Sequence, residues 1–386
     1  MPINPSPYIQ YGGIWTASQQ ADAKAAGTWP VPPSPKLFSW GFNNQGQLGV
    51  GNTTTYSSPK QVGALTDWLS LASGYYHSLA LKTNGTIWTW GLGNSGRLGL
   101  GNTTSYSSPK QIGALTTWSK ISSGYEFSAA IKTDGTLWAW GANGFGQLGL
   151  GNTTSISSPQ QVGSGTTWSS VSCGTYFTMS IKTDGTLWGW GYNAQGQLGL
   201  GNVTSTSSPV QVGALTNWLL VSAGAYSSIA VKTDGTFWSW GSGSQGALGL
   251  GNTTSYSSPK QVGSLTNWLY AATGQYFVVA TTTTGQLYAW GYGANGVLGL
   301  GNQTNYSSPK QVGSLTNWST VYRNVYSAYS LKTDGTFWSW GRNNIGQLGL
   351  GDSTTRSSPV QVGALTSWQT VSQGQGIHQL AIAITT

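Results

Sequence analysis

The chain has 386 residues, 57 of them glycine and 21 tryptophan, with 6% charged residues and a formal net charge of +8. An average soluble domain carries about 25% charged residues, so polarity here falls to Ser, Thr, Asn and Gln. Cys173 is the only cysteine, which excludes an intrachain disulfide framework; no run approaches the ~20 apolar residues of a membrane helix, so no membrane insertion is expected.

Residues 1–36 differ from everything after them. Their proline-rich ends flank a predicted helix over 18–26, where Ala and Gln are good helix formers. Trp15 and Trp29 bracket that helix and are costly to leave in water. Together with Tyr8 and Tyr11 they read as the anchors of a docking arm. Residues 1–11 show neither a basic start nor an apolar run, so no secretion signal is expected.

From residue 37 onward the sequence repeats. Trp-Gly stands at Trp40, Trp90, Trp140, Trp190, Trp240, Trp290 and Trp340, a spacing of 50 residues throughout. A fixed period of about 20–50 residues marks an array of units that bury their apolar faces only against one another. In the repeat that begins at Trp118, residues 119–123 and 127–132 read as strands, and Thr133-Asp134-Gly135 supplies a tight turn. Residues 136–140 form a third strand. After a glycine-rich excursion, Ser157-Ser158-Pro159 allows only an edge or irregular outer strand. Four strands make an antiparallel blade, and seven blades arranged radially make a β-propeller. The fold class expected is therefore all-β, a seven-bladed β-propeller over 37–386 with the arm 1–36 in front of it.

The ends of the repeat array predict how the ring closes. The first repeat opens with a third strand, Lys36–Gly41, and the last supplies the first two, 368–372 and 378–384. One blade is then assembled from both termini.

These residues resemble a known family. The run Trp40-Gly41-Phe42-Asn43-Asn44-Gln45-Gly46-Gln47-Leu48-Gly49, the later Ser-Ser-Pro-x-Gln-Val-Gly and the segment 74–81 are similar to the regulator of chromosome condensation repeat. The resemblance covers about nine tenths of the chain and implies a seven-bladed propeller closed by such a clasp. It also implies kinship with an exchange factor for a small GTPase. That activity uses an acidic face and an inserted wedge, whereas this chain has eight acidic residues and no insertion longer than one residue. Within the arm, residues 12–16 and 26–30 resemble a short element of bacteriophage structural proteins.

The repeats also define variable columns. One, just before the Ser-Ser-Pro run, carries Tyr56, Tyr106, Tyr256, Tyr306 and Arg356. A second, after the first strand, carries Tyr76, Tyr176, Tyr226, Tyr276 and Tyr326, with Glu126 in the remaining place. A third, in the loop after Trp-Gly, includes Tyr192, Tyr292 and Arg342. Variable loops on a fixed scaffold are where recognition usually resides, and tyrosine offers contact area with few rotors. These columns are the candidate ligand or partner site.

Catalysis finds no support in the sequence. Glu126 is the single glutamate, the aspartates sit mostly in Thr-Asp-Gly turns, and no metal-ligand spacing occurs. No catalytic residue, metal or cofactor is expected. His77 and His378 read as packing residues. The lysines recur once per repeat, Lys60 and Lys82 heading two columns, so charge is spread around the ring and partly offset by aspartates such as Asp134. That spread argues against nucleic acid as a partner. The expected function is a non-enzymatic bacteriophage virion protein, of tail-fibre or decoration type. It attaches to other virion proteins through residues 1–36 and binds a host surface glycan or protein through the propeller loops, with a homo-oligomer as an open option. Two alternatives stand beside it: an intracellular adaptor or exchange-factor-like propeller, cytoplasmic rather than virion-borne, and a capsid decoration protein that only stabilises the shell.

Overall fold

The computed structural model describes residues 35–383. They form seven sheets, arranged as the repeat predicts. In one repeat Trp118–Ser123, Phe127–Lys132, Leu137–Gly141 and Ile156–Gln161 pair in that order as an antiparallel sheet. The second and third strands are covered on both sides by neighbouring sheets. This explains why Phe127–Lys132 reads as an almost unbroken buried run rather than an alternating one. First strands of successive sheets pack side by side about the axis and line a central channel. The proline-bearing strand, irregular in register, lies outermost.

Tryptophan fills the wedges between sheets. Trp140 is fully buried, and its Nε1 donates to the carbonyl of Arg97 in the preceding repeat at 3.0 Å. Trp118 packs edge-on against it at 6.4 Å. The same donation recurs from Trp40 to Gln347 O across the seam between the chain's two ends. Truncating an indole so placed costs about 3–5 kcal/mol.

Closure follows the predicted plan. Lys36–Gly41 lies between Tyr56–Thr66 and His378–Ala383, and Trp368–Val371 completes that sheet. One feature is new: Gln373–Gly374 pairs in parallel with Ala72–Ser73 of the adjoining sheet and staples two blades together. Three short 3-10 turns, Asn94–Gly96, Ser244–Gly246 and Ala294–Gly296, interrupt the loops. Among the described residues no helix is long and apolar enough to cross a membrane. The predicted helix over 18–26, the anchors Tyr8, Tyr11, Trp15 and Trp29, and residue 384 lie outside the described residues.

Candidate functional site

Strand direction sorts the loops onto two ends of the propeller. At one end emerge the hairpins that join first to second strands, such as 74–76, and the long loops after Trp-Gly, such as 92–105. At the other end lie the Thr-Asp-Gly turns and the loops leading into each first strand.

The first end carries an aromatic crown. Tyr76, Tyr176, Tyr226, Tyr276 and Tyr326 sit half-buried in their hairpins. The loop column joins them: the backbone N–H of Tyr192 donates to Tyr176 O, that of Tyr292 to Tyr276 O, both at 2.9 Å, and that of Arg342 to Tyr326 O at 3.2 Å. Arg342 lies over the Tyr326 ring at 5.1 Å. Two of the three predicted columns therefore converge on one surface.

The outer column does not join them. Tyr106 pairs with Gly91, and Gly91 with His77, so two strand spacings, about 10 Å, separate it from the hairpin column. Tyr56, Tyr106, Tyr256 and Tyr306 lie under Lys60, Lys110, Lys260 and Lys310 at 5.3 to 5.6 Å, stacking that holds the rim. Arg356 bonds Asp352 at 2.5 Å as a partly exposed i,i+4 pair, a contact worth little beside water.

The crown contains residues that the column reading passed over. Tyr75 stacks on Tyr125 at 4.2 Å, and Tyr125 reaches Tyr176 at 5.8 Å. Phe145 packs against Tyr176 and Tyr192 at 5.1 and 5.0 Å. Phe42 touches Tyr76 at 6.1 Å, and a second arc is Tyr226 on Tyr276 at 5.5 Å. The adjacent aromatics Tyr75-Tyr76 were the available sequence signal. Burial against one another raises the phenol pKa of Tyr75, Tyr125, Tyr176 and Tyr276, so these hydroxyls stay protonated and able to donate.

Beneath the crown, two departures from the repeat compensate each other. Arg97 replaces the usual glutamine and Glu126 the usual tyrosine, and they meet at 3.1 Å. Burial lowers the Arg97 pKa while Glu126 opposes that shift. The single glutamate is thus committed to a buried arginine.

At the opposite end each lysine of the inner column is sandwiched by indoles. Lys132 Nζ lies 3.8 Å from the Trp138 ring and 5.1 Å from Trp118. Asp134 turns instead to Thr136, accepting from its N–H at 2.9 Å and its hydroxyl at 2.6 Å. Those bonds, hydroxyl first, hold its carboxyl below the usual range. The expected Lys–Asp offset is present as a smaller effect, Lys132 also lowering the Asp134 pKa, and cation–π contact is added to it, because the strand register sets Lys132 opposite Trp118. Leucines such as Leu115 and Leu315, both 49% exposed, complete this end in nearly the same form in each blade.

His77 and His378 lie fully buried in adjoining seams, His77 Nε2 3.0 Å from Ser128 Oγ and His378 Nε2 2.7 Å from Ser78 Oγ. Both serve packing and hydrogen bonding between blades. No group of three or more His, Cys, Asp or Glu that could hold a metal occurs among the described residues.

Fold and crown together define a closed propeller that offers one individually varied aromatic surface on seven nearly identical blades. The RCC1-like domain matches residues 36–330 and the regulator of chromosome condensation (RCC1) repeat matches 334–377. The chain belongs to the RCC1-like domain family. It is 39% identical over 66 residues to the RCC2 homolog of Danio rerio, covering 17% of this chain and 13% of that protein. It is 32% identical over 85 residues to RCC2 of Homo sapiens, covering 22% and 16%. The matched segments thus span less than a fifth of these relatives' length. Human WBSCR16 shares the fold at a TM-score of 0.81, with 21% identity and 91% of this chain and 99% of that one aligned. Prp20p of Saccharomyces cerevisiae, a protein described by its binding to Gsp1p and histones, does so at 0.81, with 19% identity and 95% of each chain.

These relatives correct the functional expectation. They are RCC2 proteins and Prp20p, not virion components, so the bacteriophage virion function, the tail-fibre and decoration roles and the virion location are overturned. Virion proteins as partners of residues 1–36, and a host surface glycan or protein as ligand of the loops, fall with them. The intracellular adaptor or exchange-factor-like alternative fits the relatives better. The family takes its name from a regulator rather than from a metabolic catalyst.

Proposed function

We propose that the chain is an intracellular, non-enzymatic adaptor of the exchange-factor-like propeller kind, and that it docks a protein partner on the aromatic crown. The observation that carries this reading is the convergence of the hairpin and loop columns, Tyr176 with Tyr192 and Tyr326 with Arg342, at one end of the propeller. Tyrosine and arginine in half-buried clusters supply much of the binding energy at protein interfaces. The opposite end repeats nearly the same residues in each blade and so offers less to distinguish one partner from another. Adaptor is preferred to exchange factor because Glu126 is already paired with Arg97, which leaves the crown without an unpaired glutamate.

Partners of the kind bound by Prp20p, namely Gsp1p and histones, are the first to try. The full chain is titrated with each, and nucleotide release from Gsp1p is followed in parallel. Saturable binding without faster release supports the adaptor. Accelerated release moves the reading to exchange, and no binding to either sinks it. Residues 1–36 are kept in this proposal as a separate docking arm through Tyr8, Tyr11, Trp15 and Trp29. Deleting residues 1–34, which leaves the strand Lys36–Gly41 whole, is expected to weaken partner binding while the propeller's melting temperature holds.

A further inference from the structure

The axial channel contains a positive charge that no other described residue neutralises. The column that ends the first strands runs Ser73, Ser123, Cys173, Ala223 and Thr273, and then Arg323. Arg323 is 3% exposed, and its guanidinium crosses the channel to donate to Gly374 O at 2.6 Å and Ala223 O at 2.7 Å. Two of its five N–H groups are used in this way; Nε has no partner. The ion pairs among the described residues are Arg97–Glu126 and Arg356–Asp352, and neither reaches it. A charge buried without a counter-charge is costly, and burial alone pushes the Arg323 pKa down to about 9.

The rest of the channel wall is also short of acceptors. A cavity of about 380 Å³ is lined by Arg323 together with Ser170, Ser172 and Ser222. Ser172 Oγ accepts the backbone N–H of Ala223 at 2.9 Å, and Ser222 Oγ accepts that of Thr273 at 3.4 Å. Each oxygen is thereby used as an acceptor, which leaves its proton to donate. Ser170 Oγ is buried with no partner at all. The groups that build the site meet there: Gly374 O accepts from Arg323, and Gln375 extends across the channel to Gly224 O at 3.3 Å and to the hydroxyl of Thr175 at 3.3 Å.

We propose that this channel is a binding site for a small oxyanion, a phosphate or a carboxylate, held by Arg323 and by the hydroxyls of Ser170, Ser172 and Ser222. Donors from several blades converge on one cavity, a layout that suits the several oxygens of such an anion. A cation is repelled by Arg323, and a neutral ligand leaves its charge uncompensated. The cavity's volume limits the ligand to a small molecule, so this site is separate from the crown and stands or falls apart from the proposed docking role.

The test uses the full chain at constant ionic strength, titrated with inorganic phosphate and, separately, with malonate, with sodium chloride as the control salt. A ligand that binds only the folded chain raises the melting temperature with its concentration. The expected result is a rise with phosphate, malonate or both beyond that of chloride, with a calorimetric stoichiometry of one. The responding anion identifies the class. Arg323→Met is expected to weaken binding by more than about tenfold, since hydrogen bonds to a charged group carry about 1.5–3 kcal/mol. If Arg323→Met does not fold, the double variant Ser170→Ala and Ser172→Ala takes its place, with several-fold weaker binding expected. A response no larger than that of chloride overturns the proposal, as does full affinity in whichever variant folds.

Discussion

An alanine at Gly149 and an alanine at Gly163 offer a matched test of the inter-blade packing. Both glycines have left-handed backbone, φ +73° and +60°. An L-residue in that region costs about 1–2 kcal/mol. At Gly163 the new methyl group meets nothing within 4 Å, so strain is the whole cost. At Gly149 it would lie 2.7 Å from Trp190 Nε1, the atom that donates to Gln147 O at 3.0 Å. The rigid, fully packed indole must shift, at about 1–3 kcal/mol for overpacking, and the buried hydrogen bond is lost for about 1 kcal/mol more. The total is about 4 kcal/mol against about 1. At an unfolding entropy of about 2.1 cal/mol/K for each of about 350 residues, these become melting-point losses of about 5 °C and about 1.4 °C. Differential scanning calorimetry of the two variants is the assay. Equal losses would refute the seam geometry. Gly349→Ala, 2.8 Å from Trp40 Nε1, extends the test to the seam between the chain's ends.

Three more predictions concern buried groups and closure. Burial holds the His378 pKa down to about 3, and burial with the charge of Arg97 holds that of His77 well below its ordinary value, so both are neutral when folded. The unfolded chain therefore binds more protons between pH ~6.5 and about 3, and stability falls with pH across that window by up to about 1.4 kcal/mol per unit per histidine. Urea midpoints from pH 7 to 5 should fall for the parent and fall less for His378→Gln; an unchanged slope contradicts this. The Cys173 thiol, buried and pushed up to about 12, should ignore Ellman's reagent until urea unfolds the chain, whereas prompt reaction in the native state would place it at the surface. Removal of residues 377–386 takes away the strand that pairs with Lys36–Gly41 and should abolish a single cooperative melt; an unchanged transition would disprove the clasp.

Much of the fold was legible because the 50-residue period fixes how many units there are and which residues recur in each. The Trp-Gly column and the incomplete end repeats were sufficient to place the blades and the closing sheet. The site was legible only as columns. A column gives a residue's place along the repeat but not its radius, so Tyr106 at the rim and Tyr176 at the crown looked equivalent. Pairs that span repeats were invisible for the same reason. Arg97 with Glu126, and Arg323 with Gly374 O, join residues that only the ring brings together. The partial lysine–aspartate offset was legible from sequence proximity, but the two indoles beside Lys132 were not, because only strand register brings them there. The virion reading leaned on a short arm, while the family relationship rests on most of the chain.

Docking of a protein partner on the crown is tested most directly by comparing two alanine variants in one binding assay. Tyr176→Ala removes a ring that packs with Phe145 and Tyr192 in the crown, and Tyr256→Ala removes a rim ring stacked under Lys260. Affinity for Gsp1p or histones, whichever binds the parent chain, should fall at least tenfold, about 1.4 kcal/mol, for Tyr176→Ala and stay within about twofold for Tyr256→Ala. Equal effects, or the larger loss at Tyr256, would contradict the crown as the docking surface.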